Sequence, residues 1–330
     1  MSAQHSGATS LHGGNMSKFI RLAGLCGALA LLRPAGAAVY SVAGLAGPLD
    51  NGGAGARALG MGSAFVGVAD DASALYWNPA GLGRLEHVTL ALNHNSWLAG
   101  IIQENAELAM PAGVLGALAV SVDYINYGDL AGYDSTGTST GSYSADRFGL
   151  NLGWGKELMP WLSVGAGFKG SQQNISGGSY SNLAADLGLL VKPARGFKIG
   201  LTYTDLGGQV SGYAQPADLN LGASFGFNLN RDNRLLLAAS GTWENNGVNT
   251  LQAGLEDVIH DFLAVRAGYR GVSADTQIQG LTGLSLGLGL KLGRLGVDYA
   301  YLPYGDLGST HRLSLTFAFT GEERTHKRAS

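Results

Sequence analysis

From His87 onward the chain alternates apolar residues with small or polar ones, a period of two that belongs to strands with one oily and one wet face. In 148–155, Phe148, Leu150, Leu152 and Trp154 alternate with Gly149, Asn151, Gly153 and Gly155. In 219–229, Leu219, Leu221, Ala223, Phe225, Phe227 and Leu229 alternate with Asn220, Gly222, Ser224, Gly226 and Asn228. The stretch 284–291 sets four leucines against Ser285, Gly287, Gly289 and Lys291. This pattern predicts strands near 87–97, 101–110, 114–125, 146–156, 162–173, 182–192, 197–206, 217–229, 234–243, 249–257, 262–270, 282–291, 295–302 and 311–319.

The connections sort by parity. Those after even-numbered strands are short and turn-like, among them Pro111 to Gly113, Asn230 to Asn233 and Leu292 to Arg294. Most of those after odd-numbered strands are longer and polar, as at Asn126 to Ala145, Gly207 to Pro216, Gly271 to Leu281 and Pro303 to Thr310. Outer-membrane barrels show this asymmetry, with short turns inside and long loops outside. The wet face of Gly, Ser, Asn, Thr and Lys cannot form a second apolar core, so with the oily face toward lipid it must line a lumen. The expected fold is therefore an all-β, transmembrane antiparallel barrel of about fourteen strands, with both ends in the periplasm of a Gram-negative-type bacterium. An exported soluble β-protein is the competing architecture. The last strand alternates Leu313, Leu315, Phe317 and Phe319 with polar or small residues and so resembles a barrel-assembly signal, although a hydrophilic tail, 320–330, trails it.

Composition sharpens this picture. The chain carries 53 Gly but only 14% charged residues, which suits close-packed curved strands and turns rather than long helices. A net charge of −3 with dispersed Lys and Arg excludes a nucleic-acid footprint. Near the N-terminus, Lys18 and Arg21 precede the apolar stretch Leu22 to Leu32 and the small residues Ala35-Gly36-Ala37, the layout of a cleavable signal peptide. Cleavage removes Cys26, the single cysteine, so the mature chain has no thiol chemistry. The domain plan is an extension and signal peptide at 1–37, a plug-like segment at 38–86, a barrel at 87–319 and a tail at 320–330.

Between the signal and the first strand, the segment is rich in small residues and too irregular to span a bilayer. Asp70-Asp71 followed by Ala72 to Trp77 predicts a short capped helix, ended by Asn78-Pro79. The runs Gly-Ala-Arg-Ala-Leu-Gly-Met-Gly at 55–62, Ala-Asp-Asp-Ala-Ser-Ala-Leu-Tyr-Trp-Asn-Pro-Ala-Gly at 69–81 and Pro-Tyr-Gly-Asp-Leu-Gly-Ser-Thr-His-Arg at 303–312 resemble the PorV/PorQ family of outer-membrane proteins. That family is similar in turn to the FadL-like fatty-acid transporters. The resemblance implies fourteen strands and an inward-packed N-terminal region near the periplasmic mouth. It implies one of two roles: handling of exported proteins with type IX secretion components, or admission of long-chain fatty acids or other hydrophobic small molecules. Lipid and the barrel-assembly machinery are partners on either reading.

Asn78, Pro79 and Ala80 are then either a turn that seats the segment or part of a gate. By strand parity Asp123, Lys169, Asp186, Arg266, Arg270, Asp298 and Arg312 point into the lumen, where they form either a salt-bridge network or a selectivity filter. Enzymatic chemistry is not expected: Ser, His and Asp are scattered, and His87, His94, His260 and His311 have no metal-ligand spacing. No cofactor or metal is implied.

Overall fold

The computed structural model describes residues 54–210, 213–244, 249–272 and 282–319, all within the compact unit Ala38–Ser330. The expected signal peptide, the start of the plug-like segment, the tail at 320–330 and most of the connection Gly271 to Leu281 lie outside the described residues.

Fourteen antiparallel strands close into a barrel. They are β1 (Val88–Ser96), β2 (Ile102–Pro111), β3 (Ala117–Tyr133), β4 (Ser139–Met159), β5 (Leu162–Ile175), β6 (Gly178–Ala194) and β7 (Phe197–Leu206). There follow β8 (Asp218–Asn228), β9 (Asn233–Glu244), β10 (Asn249–Ile259), β11 (Leu263–Val272), β12 (Leu284–Leu292), β13 (Leu295–Pro303) and β14 (Ser309–Phe319). Each pairs with the next, and β14 returns to β1 with Val88 opposite Phe319, so no edge is left unpaired. Every predicted strand has its counterpart. A strand such as β8, with 11 residues, rises about 3.3 Å per residue, and at a tilt of about 40° it crosses about 28 Å of hydrocarbon.

The alternation places the oily residues outside. Leu150, Leu152, Leu219, Leu237, Leu251, Leu286, Leu288 and Leu315 are all exposed on the outer wall. Aromatic residues flank them, with Tyr124, Phe148, Tyr203, Tyr269 and Tyr299 toward the outer rim and Trp161, Phe262, Phe317 and Phe319 at the inner rim. Such a band with aromatic girdles is stable in lipid and costly in water, so the barrel spans a membrane as outer-membrane barrels do. Among the described residues no helix is long and apolar enough to cross a bilayer.

One expectation needs correction. The span Asn126 to Ala145 is not a long loop: β3 runs on to Tyr133 and β4 starts at Ser139, joined across a bulge between Asn126 and Asp129. Period-two patterning weakens there because, beyond an apolar cluster of Ile125, Tyr127 and Ala145 at its base, the hairpin stands in water. Likewise β5 and β6 meet in a tight turn at Ser176-Gly177. On this side the outer asymmetry is therefore carried by strands that overrun the rim. In the connection Gly207 to Pro216, a two-residue hairpin pairs Gln209 with Ala214.

Candidate functional site, a plugged lumen and its vestibule

Residues 54–86 fill the inner half of the lumen. The segment holds α1 (Ala56–Gly60), α2 (Ala74–Trp77) and a 3-10 turn (Pro79–Arg84). The helix expected over 72–77 is shorter and has no side-chain cap: it begins at Ala74 after Ser73, and Asp71 instead fixes the turn before it by accepting from the Ser73 amide and hydroxyl at 3.0 and 2.6 Å. Phe65, Met61, Leu82 and Val68 are fully buried. They pack against a wall that offers little side chain. On one side the plug's Leu75 and Leu82 meet Ala91, Ala109, Ala117 and Ala119.

Elsewhere the wall is glycine. Gly155 of β4 lies opposite Gly165 of β5, which lies opposite Gly188 of β6. Gly200 pairs with Gly222, and Gly254 with Gly268. At each, the plug's backbone or Asn78 occupies the place of a side chain: Pro79 against Gly165, Val66 against Gly200, Gly67 against Gly222, Met61 against Gly254. Part of the glycine excess thus resolves into one belt that receives the plug.

Asn78 is completely buried, and its amide donates to the carbonyls of Val66 at 3.0 Å and Leu189 at 3.1 Å, while its Oδ1 accepts from the Ala80 amide at 3.1 Å. The Asn78-Pro79-Ala80 turn is thereby tied both to the plug and to β6. Near the inner rim, Arg84 reaches Glu157 at 3.2 Å and the Ser163 hydroxyl at 3.1 Å.

Ionic contacts join plug to wall. The Arg57 guanidinium donates to both oxygens of Glu256 at 2.8 and 2.9 Å, and to Asp70 at 2.7 Å and Asp71 at 3.0 Å. Glu256 also accepts from Arg266 at 2.7 Å, and Arg266 donates to Asp298 at 2.6 Å. Lys198 closes the far end, 3.3 Å from Asp70 and 2.7 Å from the Val68 carbonyl. Arg57 therefore fastens the 55–62 run to the 69–81 run and both to β10. Of the sequence candidates, Arg266 and Asp298 lie in this network.

Burial alone would push the Asp70 carboxyl up, but Arg57 and Lys198 outweigh it and hold Asp70 well below the usual carboxylate range. Burial, together with the neighbouring Asp70 charge, raises Asp71. The depressed group lends stability above its unfolded value and loses it as pH falls; the raised group acts in the opposite sense. Amide protection of residues 56–84, measured by hydrogen exchange, is thus expected to hold from pH 8 to about 5 and to drop below about 4. Asp70→Asn should lower protection at neutral pH; Asp71→Asn should not.

Above the plug a polar girdle encircles the lumen. Ser314, Asn93, Asn105, Asp123 and Asn151 hydrogen-bond in sequence across five neighbouring strands at 2.5–2.7 Å. Lys169 sits 2.9 Å from Asp186 and 3.2 Å from Asp205. Further round, Thr242 donates to Asn220 at 2.6 Å. Arg312 is 3% exposed, with its guanidinium 4.6 Å from the Trp97 ring and no carboxylate in ion-pair range among the described residues. The girdle bounds a vestibule with a cavity of about 110 Å³, open to solvent, with Val66, Tyr76 and Trp77 of the plug as its floor and Asp123, Lys169, Asp218 and Arg270 in its walls. The seven candidate charges therefore divide between the plug network, the girdle and the vestibule.

Parity reasoning missed Glu256, Asp218 and Asp205. The first two share the inward parity of Gln252 and Asn220, so the same rule reaches them. Asp205 stands at a left-handed position, φ +60°, which no alternation reveals. Arg57 lies in an irregular segment and carries no periodic signal.

Comparison with known proteins matches the fold to a group of channels. The family described as Uncharacterised protein family (UPF0164) matches residues 51–205, the plug and the first half of the barrel. Among curated proteins none matches the sequence. Similar solved structures include the toluene transporter TbuX of Ralstonia pickettii, at 14% identity and a TM-score of 0.57, covering 81% of this chain and 97% of that one. The toluene transporter TodX of Pseudomonas putida has 13% identity and a TM-score of 0.58, covering 82% and 99%. A FadL homologue of Pseudomonas aeruginosa has 13% identity and a TM-score of 0.52, covering 79% and 98%. At these identities the shared property is architecture: this chain has the fold of FadL-like outer-membrane barrels.

Proposed function

We propose that this chain is an outer-membrane channel that admits small, largely hydrophobic molecules from outside, holding them in the vestibule before the plug lets them pass. The observation that supports this most is the vestibule itself, which opens outward and is floored by the apolar and aromatic residues Val66, Tyr76 and Trp77. Trp77 is braced edge-on by Phe65 at 6.2 Å and Tyr76 at 5.1 Å, a rigid surface for an apolar ligand. The likeness in fold to toluene transporters agrees with this reading.

Asn78-Pro79-Ala80 acts as the seat on which the plug turns, and the lumen charges fix the plug and shape the vestibule. A role in protein secretion rests on the resemblance of the runs at 55–62, 69–81 and 303–312, and the first two are occupied in holding plug to wall. Uptake of radiolabelled toluene and of a long-chain fatty acid, by cells expressing the chain and lacking their own hydrocarbon channels, tests the proposal. Saturable uptake of either above the empty-vector level is expected. No uptake, with a surface protein co-purifying from the outer membrane, would establish the secretion role instead.

A further inference from the structure

The vestibule wall is lopsided in charge. On three consecutive strands, β7 to β9, it carries Asp205, Asp218 and Glu244, beside Lys169 of β5, while Arg147 and Arg270 stand apart on β4 and β11. Lys169 is already committed, bridging Asp186 at 2.9 Å and Asp205 at 3.2 Å. Asp218 is different. It is 6% exposed, lines the vestibule, and its Oδ1 is buried with no hydrogen-bond partner among the described residues. Its cross-strand partners are Thr204 and Glu244. Two carboxylates directly opposite each other in a sheet repel, and a buried carboxylate without a donor is costly. A ligand that brings positive charge and N–H donors to this oxygen relieves both costs.

We infer that the vestibule has a subsite for the ammonium group of a small amphipathic amine, received by the Asp218 carboxylate, with the amine's apolar body on the Tyr76–Trp77 floor. The inference deepens the proposed uptake role and rests on it. The chemistry already has an internal precedent: the Lys169 ammonium lies 5.8 Å from the Tyr76 ring centroid, so this floor tolerates a cation beside its aromatic face. An ammonium on Asp218 brings N–H donors to a carboxylate whose Oδ1 has none among the described residues, and the hydroxyl of Thr204 and the amide of Asn220, both lining the same cavity, stand on the adjoining strand positions. A neutral hydrocarbon of the same shape finds the floor and leaves the carboxylate unmatched.

The test is calorimetric titration of the full chain in detergent with benzylammonium, its neutral isostere benzyl alcohol, and benzoate, using wild type and Asp218→Asn. In wild type benzylammonium is expected to bind about tenfold tighter than benzyl alcohol, and benzoate more weakly than either. In Asp218→Asn the ammonium preference should vanish while benzyl alcohol binds as before. Equal binding of ammonium and alcohol to wild type, or a preference that survives in the variant, overturns the inference and leaves the uptake role standing. Binding of none of the three overturns both. If Asp218→Asn does not assemble, the ranking of the three ligands on wild type decides alone.

Discussion

Arg57→Met is expected to turn a closed barrel into a conducting pore. The side chain that leaves is, among the described residues, the one group bonded at once to Asp70, Asp71 and Glu256. Glu256 is only 3% exposed in its side chain, so it keeps Arg266 but loses its bidentate partner in a place where water cannot substitute. Removing one member of a buried ion pair costs about 3 kcal/mol or more, and here the loss also frees two adjacent plug carboxylates to repel each other. The barrel ladder is untouched, so the cost falls on plug seating. In planar bilayers wild type should pass little current and Arg57→Met should show steady open-channel conductance, with heat-modifiable gel migration unchanged. Arg57→Lys should fall between them, because an ammonium keeps the charge but not the fork that grips both Glu256 oxygens. Adding Glu256→Gln to Arg57→Met should recover part of the closure by removing the stranded charge. Conductance of Arg57→Met equal to wild type would refute the latch.

The glycine belt should be still less forgiving. A Cβ at Gly165 would overlap the Pro79 carbonyl and the Ala80 amide, and one at Gly200 would overlap the Val66 carbonyl. The obstacle in each case is backbone, which cannot rotate away. Gly165→Ala and Gly200→Ala are each expected to cost about 3 kcal/mol, the upper range of overpacking. The loss should appear as a lower urea midpoint and an open channel. Gly226 supplies the contrast on the same lumen face: the nearest atom to its Cβ would be Leu236 Cδ1 at 3.7 Å. Gly226→Ala should be neutral or stabilising by a few tenths of a kcal/mol, since alanine loses less conformational freedom than glycine in a strand. If all three alanine variants behave alike, the belt is only a consequence of curvature and not a seat.

Much of this architecture is readable in the chain, and the reasons are physical. Strands that face lipid on one side and a wet lumen on the other must alternate, so Phe148 to Gly155 or Leu284 to Lys291 betray both their conformation and their direction. The signal fades where that contrast fades. Tyr127 to Tyr133 and Ser139 to Ala145 extend beyond the oily band, and they read as loop though they are hydrogen-bonded strand. Parity also pointed the candidate charges inward without revealing their partners. Arg266 bonds to Glu256 on the next strand and, across β12, to Asp298 on β13, but its tie to the plug passes through Glu256 to Arg57, 199 positions from Glu256 along the chain. Such a contact depends on how an irregular segment winds inside a closed wall, and local pattern does not encode it. The glycines were visible as an excess; their alignment needed the register.

That alignment bears on how the strands find their stagger. Shifting any strand by two residues along its neighbour keeps every leucine toward lipid and every polar residue toward water, so the membrane is blind to the mistake. The plug is not. A two-residue slip of β7 would bring Lys198 or Thr202 to the level of Gly200; one of β10 would bring Gln252 or Glu256 to that of Gly254; one of β11 would bring Arg266 or Arg270 to that of Gly268. Each would thrust a side chain into space that the plug backbone needs. The segment that closes the lumen thereby also proofreads the shear of the barrel, and mis-staggered assemblies would betray themselves by being leaky.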